Sequence, residues 1–80
     1  MQTVAELFGR TLREIRTRKA LSQEQLAELT GLSANFVGEM ERGLKAPGLA
    51  VIVRLSRALG VSVDELLREF TEVNVRRLQL

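Results

Sequence analysis

Three times in this chain an apolar residue precedes a serine, and a second apolar residue returns four positions after it: Leu21-Ser22 with Leu26, Leu32-Ser33 with Val37, and Val61-Ser62 with Leu66. A serine oxygen can accept from an unpaired amide in the first turn of a helix, and the flanking apolar pair clasps the incoming chain. Each triplet therefore predicts a helix start. Gln25 and Glu65, three positions past their serines, predict a capping box at the first and third starts. Gly31, Gly43 and Gly60 fall where a left-handed residue would close the preceding helix. Together these signals predict five helices over residues 3–18, 22–30, 33–42, 48–59 and 62–71. With almost no alternating β-branched or aromatic runs to compete, the expected fold class is all-α.

With only 80 residues, the chain has room for a single domain and one small core. Links of a few residues between such helices force a compact bundle. Phe8, Leu12, Leu26, Leu29, Val37, Met40, Ile52, Leu55, Leu59, Leu66 and Leu67 are its expected core. The balance of 45% hydrophobic and 28% charged residues is that of a folded protein. Histidine and cysteine are both missing, which excludes disulfides, thiolate or imidazole metal sites and imidazole bases, so no cofactor or metal is expected. A hydrolase built on Glu39 and Glu41 fails because residues two apart on a helix point in different directions. The longest apolar run, Leu49 to Val53, is far short of the roughly 20 residues a membrane span needs. Residues 1–8 lack a basic start followed by an apolar stretch, so no secretory leader is expected and the compartment is the cytoplasm.

The second and third helices are joined by Thr30-Gly31-Leu32, which is the spacing of a helix-turn-helix. Ala27 is small where the third helix would cross the second, Gly31 supplies the positive φ of the turn, and Leu32, Val37 and Met40 anchor the third helix from beneath. The opposite side, with Ser33, Ala34, Asn35, Gly38 and Glu39, then faces solvent and is slim enough for a major groove. The alternative is two ordinary bundle helices with a solvated face. On the first helix Phe8, Leu12 and Arg16 follow at four-residue intervals, and on the third Glu41 follows Val37 in the same way. Opposite charges on two core faces predict a pair, against the alternative that each side chain reaches water separately. Net charge is only +2, spread as +3 over residues 1–20, −2 over 21–48 and +1 over the remainder.

The run SQEQLAELTGLSANFVGEMERG, followed by LKAPGLAVIVRLSRALGVSVDELL, resembles the phage-repressor/Xre family of helix-turn-helix regulators. The resemblance covers residues 10–68. It implies a five-helix, lambda-repressor-like DNA-binding domain over residues 1–71, with the motif at about 22–42, commonly dimeric and reading bases with its third helix. It also implies that Arg16 and Glu41 form a buried ion pair, and that Gln23, Ser33, Arg42 and Lys45 approach phosphates, assisted by helix-terminal amides. Many members carry polar side chains where this chain has Ala34 and a serine where it has Gly38, and Glu39 adds a negative charge beside the DNA. Base reading is thus expected from Ala34, Asn35, Phe36, Gly38 and Glu39: Asn35 can bond adenine, Glu39 can accept from cytosine, and Phe36 either meets a thymine methyl or packs under the turn. Gly38, at a helix-interior cost of about 1 kcal/mol, would allow close backbone approach to the groove.

The expected function is a small transcriptional regulator that binds double-stranded DNA as a homodimer on a palindromic site, without a small-molecule ligand, a membrane partner or a sensor domain. In size and layout the chain resembles restriction-modification controller proteins. The rivals are a phage repressor, an antitoxin, or a protein-interaction module that kept the fold and lost the DNA, the last favoured by the acidic middle segment. Between residues 66 and 80 stand seven large apolar residues, Leu66, Leu67, Phe70, Val73, Val75, Leu78 and Leu80, more than this core can absorb; the tail, residues 72–80, fits no regular period and is expected to extend a dimer interface formed by Leu66, Phe70, Val73, Val75 and Leu78. A two-fold axis there would set the recognition helices about 34 Å apart, one turn of DNA. In the competing account the tail folds back on its own domain.

Overall fold

The computed structural model describes residues 2–80 and is helical throughout, with six helices rather than five. They are α1 (Val4–Arg18), α2 (Gln23–Thr30), α3 (Ala34–Glu41), α4 (Leu49–Leu59), α5 (Val63–Leu66) and α6 (Glu72–Arg77). α1 packs against α3 and α5, α2 against α3 and α4, and α4 against α5. Ser22, Ser33 and Ser62 each accept a first-turn amide, from Gln25, Phe36 and Glu65 respectively. The capping box closes at Ser22, where the Gln25 oxygen accepts from the serine amide at 2.8 Å. At Ser62 it does not close, because the Glu65 carboxylate accepts from Arg18 Nη2 at 2.5 Å instead. That hydrogen bond holds the Glu65 carboxyl below its ordinary range. A capping box that the serine pattern passes over opens α1, pairing Thr3 with Glu6.

The first four helices end alike, with a positive-φ residue followed by an amide that donates five positions back: Leu21 to Arg16, Leu32 to Ala27, Leu44 to Glu39 and Val61 to Ser56. Glycine occupies the left-handed position in three of them, at φ 75°, 73° and 67° for Gly31, Gly43 and Gly60. After α1 the residue is Ala20 at φ 58°, a conformation that costs a side-chain-bearing residue about 1 kcal/mol or more.

The last helix expected from the sequence, 62–71, stops at Leu66, and a sixth forms in the tail to which the sequence assigns no conformation. Arg68 and Phe70 amides donate to Glu65 and Leu67 carbonyls, tightening the end of α5, and Thr71 turns extended to cap α6 through the Asn74 amide. Asn74 Nδ2 then donates back to the Glu69 carbonyl at 2.7 Å. The tail returns to the start of the chain: Gln79 donates its amide to the Gln2 carbonyl at 2.9 Å, making a single parallel bridge between Thr3 and Gln79.

The core lies between α1, α2, α3, α4 and α5 and holds Phe8, Leu12, Ile15, Leu26, Ala27, Val37, Met40, Ile52, Leu55, Leu59 and Leu66, with Leu7 buried beside it. Ile15 and Leu7 join because the buried face of α1 is wider than a four-residue stripe, taking in Gly9 and Thr11 as well. Leu29, expected inside, is 59% exposed: it stands one position before Thr30, whose hydroxyl turns inward onto the Leu26 and Ala27 carbonyls. Leu67 packs against the core from its edge.

Candidate nucleic-acid interface

Gly31 closes α2 and Ser33 opens α3, with only Leu32 between them, so the two helices follow one another across a tight turn and pack together, with Ala27 only 5% exposed. Val37 and Met40 are sealed beneath α3. On its outer side Ser33 and Asn35 are exposed, Glu39 is half-buried at its flank, and Arg42 and Lys45 are exposed just past its end. Ala34 and Phe36 lie lower, half-buried and packed against the core. The Ser33 oxygen accepts from the Phe36 amide at 3.0 Å, which leaves its hydroxyl hydrogen for an outside acceptor.

Gly38 departs from the expectation: it is buried, not presented. A Cβ at that position would sit 3.3 Å from Arg42 Nη1 and 3.5 Å from Gln23 Oε1, so two polar side chains lie over the glycine and cover it. The missing side chain makes room for Gln23 and Arg42 rather than exposing backbone, which withdraws Gly38 from the base-reading face.

Behind this surface stands a polar cluster that joins three helices. Arg16 Nε and Nη2 donate to the two Glu41 oxygens at 2.6 and 2.9 Å, and the side chains are 11% and 3% exposed. Such a two-bond fork matches guanidinium and carboxylate geometry. Arg16 Nη1 also donates to the Leu21 carbonyl at 2.7 Å, and Gln23 Nε2 donates to Glu41 Oε1 at 3.1 Å. The hydrogen bonds that Arg16 donates to Glu41 hold its guanidinium above its ordinary value, outweighing burial. The cluster thus ties α1 to the end of α3 and orients Gln23 at the start of α2. Helical spacing points Arg16 and Glu41 at one another, but nothing in it marks Gln23 as their third partner.

The residues expected at a dimer interface divide. Leu66 is 1% exposed within its own domain and is withdrawn from that interface, because the first turn of α5 points it into the core. Phe70 packs against the core from outside, Leu78 is half-buried, and Val73 and Val75 are 56% and 46% exposed. Among the described residues no cluster of carboxylates could hold a metal ion, and no helix is long and apolar enough to cross a membrane.

Residues 12–66 match the helix-turn-helix family HTH_3. The chain is 40% identical over 62 residues to the uncharacterized HTH-type transcriptional regulator YazB of Bacillus subtilis, covering 78% of this chain and 90% of that protein. It is 40% identical over 68 residues to the control protein C.BamHI of Bacillus amyloliquefaciens, covering 84% and 83% of the two chains. Among solved structures, the restriction-modification controller protein C.AhdI from Aeromonas hydrophila superposes with a TM-score of 0.75 at 47% identity, covering 78% of this chain and 94% of that one.

Proposed function

The chain belongs to the helix-turn-helix family HTH_3, and on that premise we propose that it is a cytoplasmic transcriptional regulator that binds a palindromic operator in double-stranded DNA as a homodimer, in the manner of a restriction-modification controller. The observation that carries this reading is the outer side of α3, where Ser33 and Asn35 are exposed, Glu39 is half-buried, and Arg42 and Lys45 are exposed just past the helix end. Asn35 can bond adenine with both ends of its amide, and Glu39 can accept from cytosine; Ala34 and Phe36 offer apolar contact at the edge of the same face. Gln23, Ser33, Arg42 and Lys45 hold phosphates. Gln23 commits one amide hydrogen to Glu41 and keeps a second for another acceptor, so the buried ion pair anchors the side chain that meets the phosphate.

Phosphate contacts and base contacts fail differently. Arg42→Ala is expected to weaken binding to every duplex alike and to flatten the dependence on salt by about one unit per subunit, whereas Asn35→Ala relaxes one base position at a cost of about 1 to 3 kcal/mol. Binding titrations over a salt series, on duplexes selected from a randomised pool, separate the two. Uniform losses from both variants would remove Asn35 from the reading face.

Assembly has its own test. Val73 and Val75 leave apolar surface on α6 with no cover from the core, and a two-fold contact through them, Phe70 and Leu78 would pair the recognition helices. The intact protein is expected to sediment as a dimer at micromolar concentration without DNA. Val73→Asp with Val75→Asp, both on exposed positions, is expected to give a folded monomer. An intact protein that sediments as a monomer would place the contact on the DNA alone.

A further inference from the structure

Gly43 bends the chain at the end of α3 so that its own amide donates to the Met40 carbonyl and the Leu44 amide donates to the Glu39 carbonyl at 2.9 Å. The turn carries Lys45 back along the helix, where its Nζ stands 3.6 Å from Glu39 Oε1. The carboxylate side chain is 22% exposed and the lysine 58%, so the cation lies on the outer side of the pair. We propose that this pair is a specificity filter: Lys45 masks Glu39 on unmatched DNA and leaves it for a phosphate only where Glu39 meets a cytosine amine. The proposal rests on the DNA-binding reading above and deepens it.

The chemistry follows from what each partner can accept. A carboxylate only accepts hydrogen bonds. In the major groove guanine and thymine offer it acceptors, phosphate oxygens are negative, and the donors are two amines: adenine N6, which stands beside the N7 acceptor and suits an amide side chain, and cytosine N4, the one a glutamate reads. Unmasked, Glu39 is therefore repelled by most of what it would meet, and Lys45 has to stay on it. At 3.6 Å the pair lies beyond good hydrogen-bond length, so a phosphate can take Lys45 away once the carboxylate has another partner. Matched DNA gains one phosphate contact that unmatched DNA does not. Each such contact adds about 0.9 to the slope of log affinity against log salt.

The test uses the full chain, duplexes selected from a randomised pool, and a mixed-sequence duplex lacking the selected site. Binding is measured between about 50 and 200 mM salt, the range over which phosphate contacts are resolved. Lys45→Gln is expected to lower the slope on the selected duplex by about one per subunit and to leave the slope on the unmatched duplex unchanged. Glu39→Gln, which is neutral and nearly isosteric, is expected to raise the unmatched slope toward the selected one, tighten unmatched binding severalfold, and relax selection at one cytosine position. Circular dichroism checks that both variants keep the parent's helix content. Equal slope losses on both duplexes in Lys45→Gln, or parent-like selectivity in Glu39→Gln, would overturn the filter while leaving DNA binding intact. A parent chain that selects no duplex overturns the DNA-binding reading and the filter with it.

Discussion

Glu41→Ala is expected to leave the protein largely or partly unfolded at ambient temperature. The substitution removes both acceptors of the Arg16 fork and the acceptor of Gln23, while Arg16 stays at a position where its side chain is 11% exposed. A buried cation without its partner costs about 3 to 5 kcal/mol, and a domain of this length has only roughly 4 to 12 kcal/mol of stability in all. Thermal melting followed by circular dichroism reads the loss. Replacing both partners, as Arg16→Met with Glu41→Leu, is expected to recover most of it, since a well-packed apolar pair avoids the desolvation of two charges. If Glu41→Ala melts within a few degrees of the parent, the pair is not structural, and α1 is held to α3 by apolar packing alone.

Gly9→Ala is the second large effect, and helix propensity gets its sign wrong. Inside a helix, glycine to alanine gains about 1 kcal/mol. At Gly9, however, a Cβ would run into the Met40 carbonyl oxygen and stand 3.0 Å from that of Glu41. Both atoms belong to the backbone at the end of α3 and cannot rotate away, so α1 has to lift from α3 beside the Arg16–Glu41 fork. Overpacking of that kind costs about 1 to 3 kcal/mol. Gly38→Ala provides the contrast, because its nearest neighbours are the far ends of Arg42 and Gln23, which can swing aside. It is expected to be neutral or mildly stabilising by the same melting measurement. A stabilised Gly9→Ala would show that the two helices do not approach as closely as this.

The expected helix starts and the three left-handed glycines were legible in the sequence because each depends on bonds spanning five residues or fewer: Ser22 to Gln25, Ser33 to Phe36, and Leu44 back to Glu39 across Gly43. Arg16 and Glu41 were legible for a related reason, since each sits at a helical interval from core residues of its own helix and so had to arrive charged at a buried face. Ala20 was not, because nothing in its side chain announces a positive φ; the closing bond from Leu21 to Arg16 imposes it.

Where two segments meet at a distance, local pattern had no purchase. Gly9 reads as an ordinary weak helix position until the end of α3 is laid against it. Gly38 reads as an opening to the groove until Gln23 and Arg42 are seen to fill it. Thr71 caps the helix that opens the tail by accepting from the Asn74 amide, yet the tail's return to Gln2 depends on where α1 begins in space. By itself the sequence determined where the first five helices begin, where the first four stop and which charges must be buried, because those choices are made by neighbours along the chain. The tertiary structure alone decided which glycines are contacts, which leucine is left outside and that Lys45 reaches Glu39, because steric exclusion and Coulomb attraction act between groups according to distance in space.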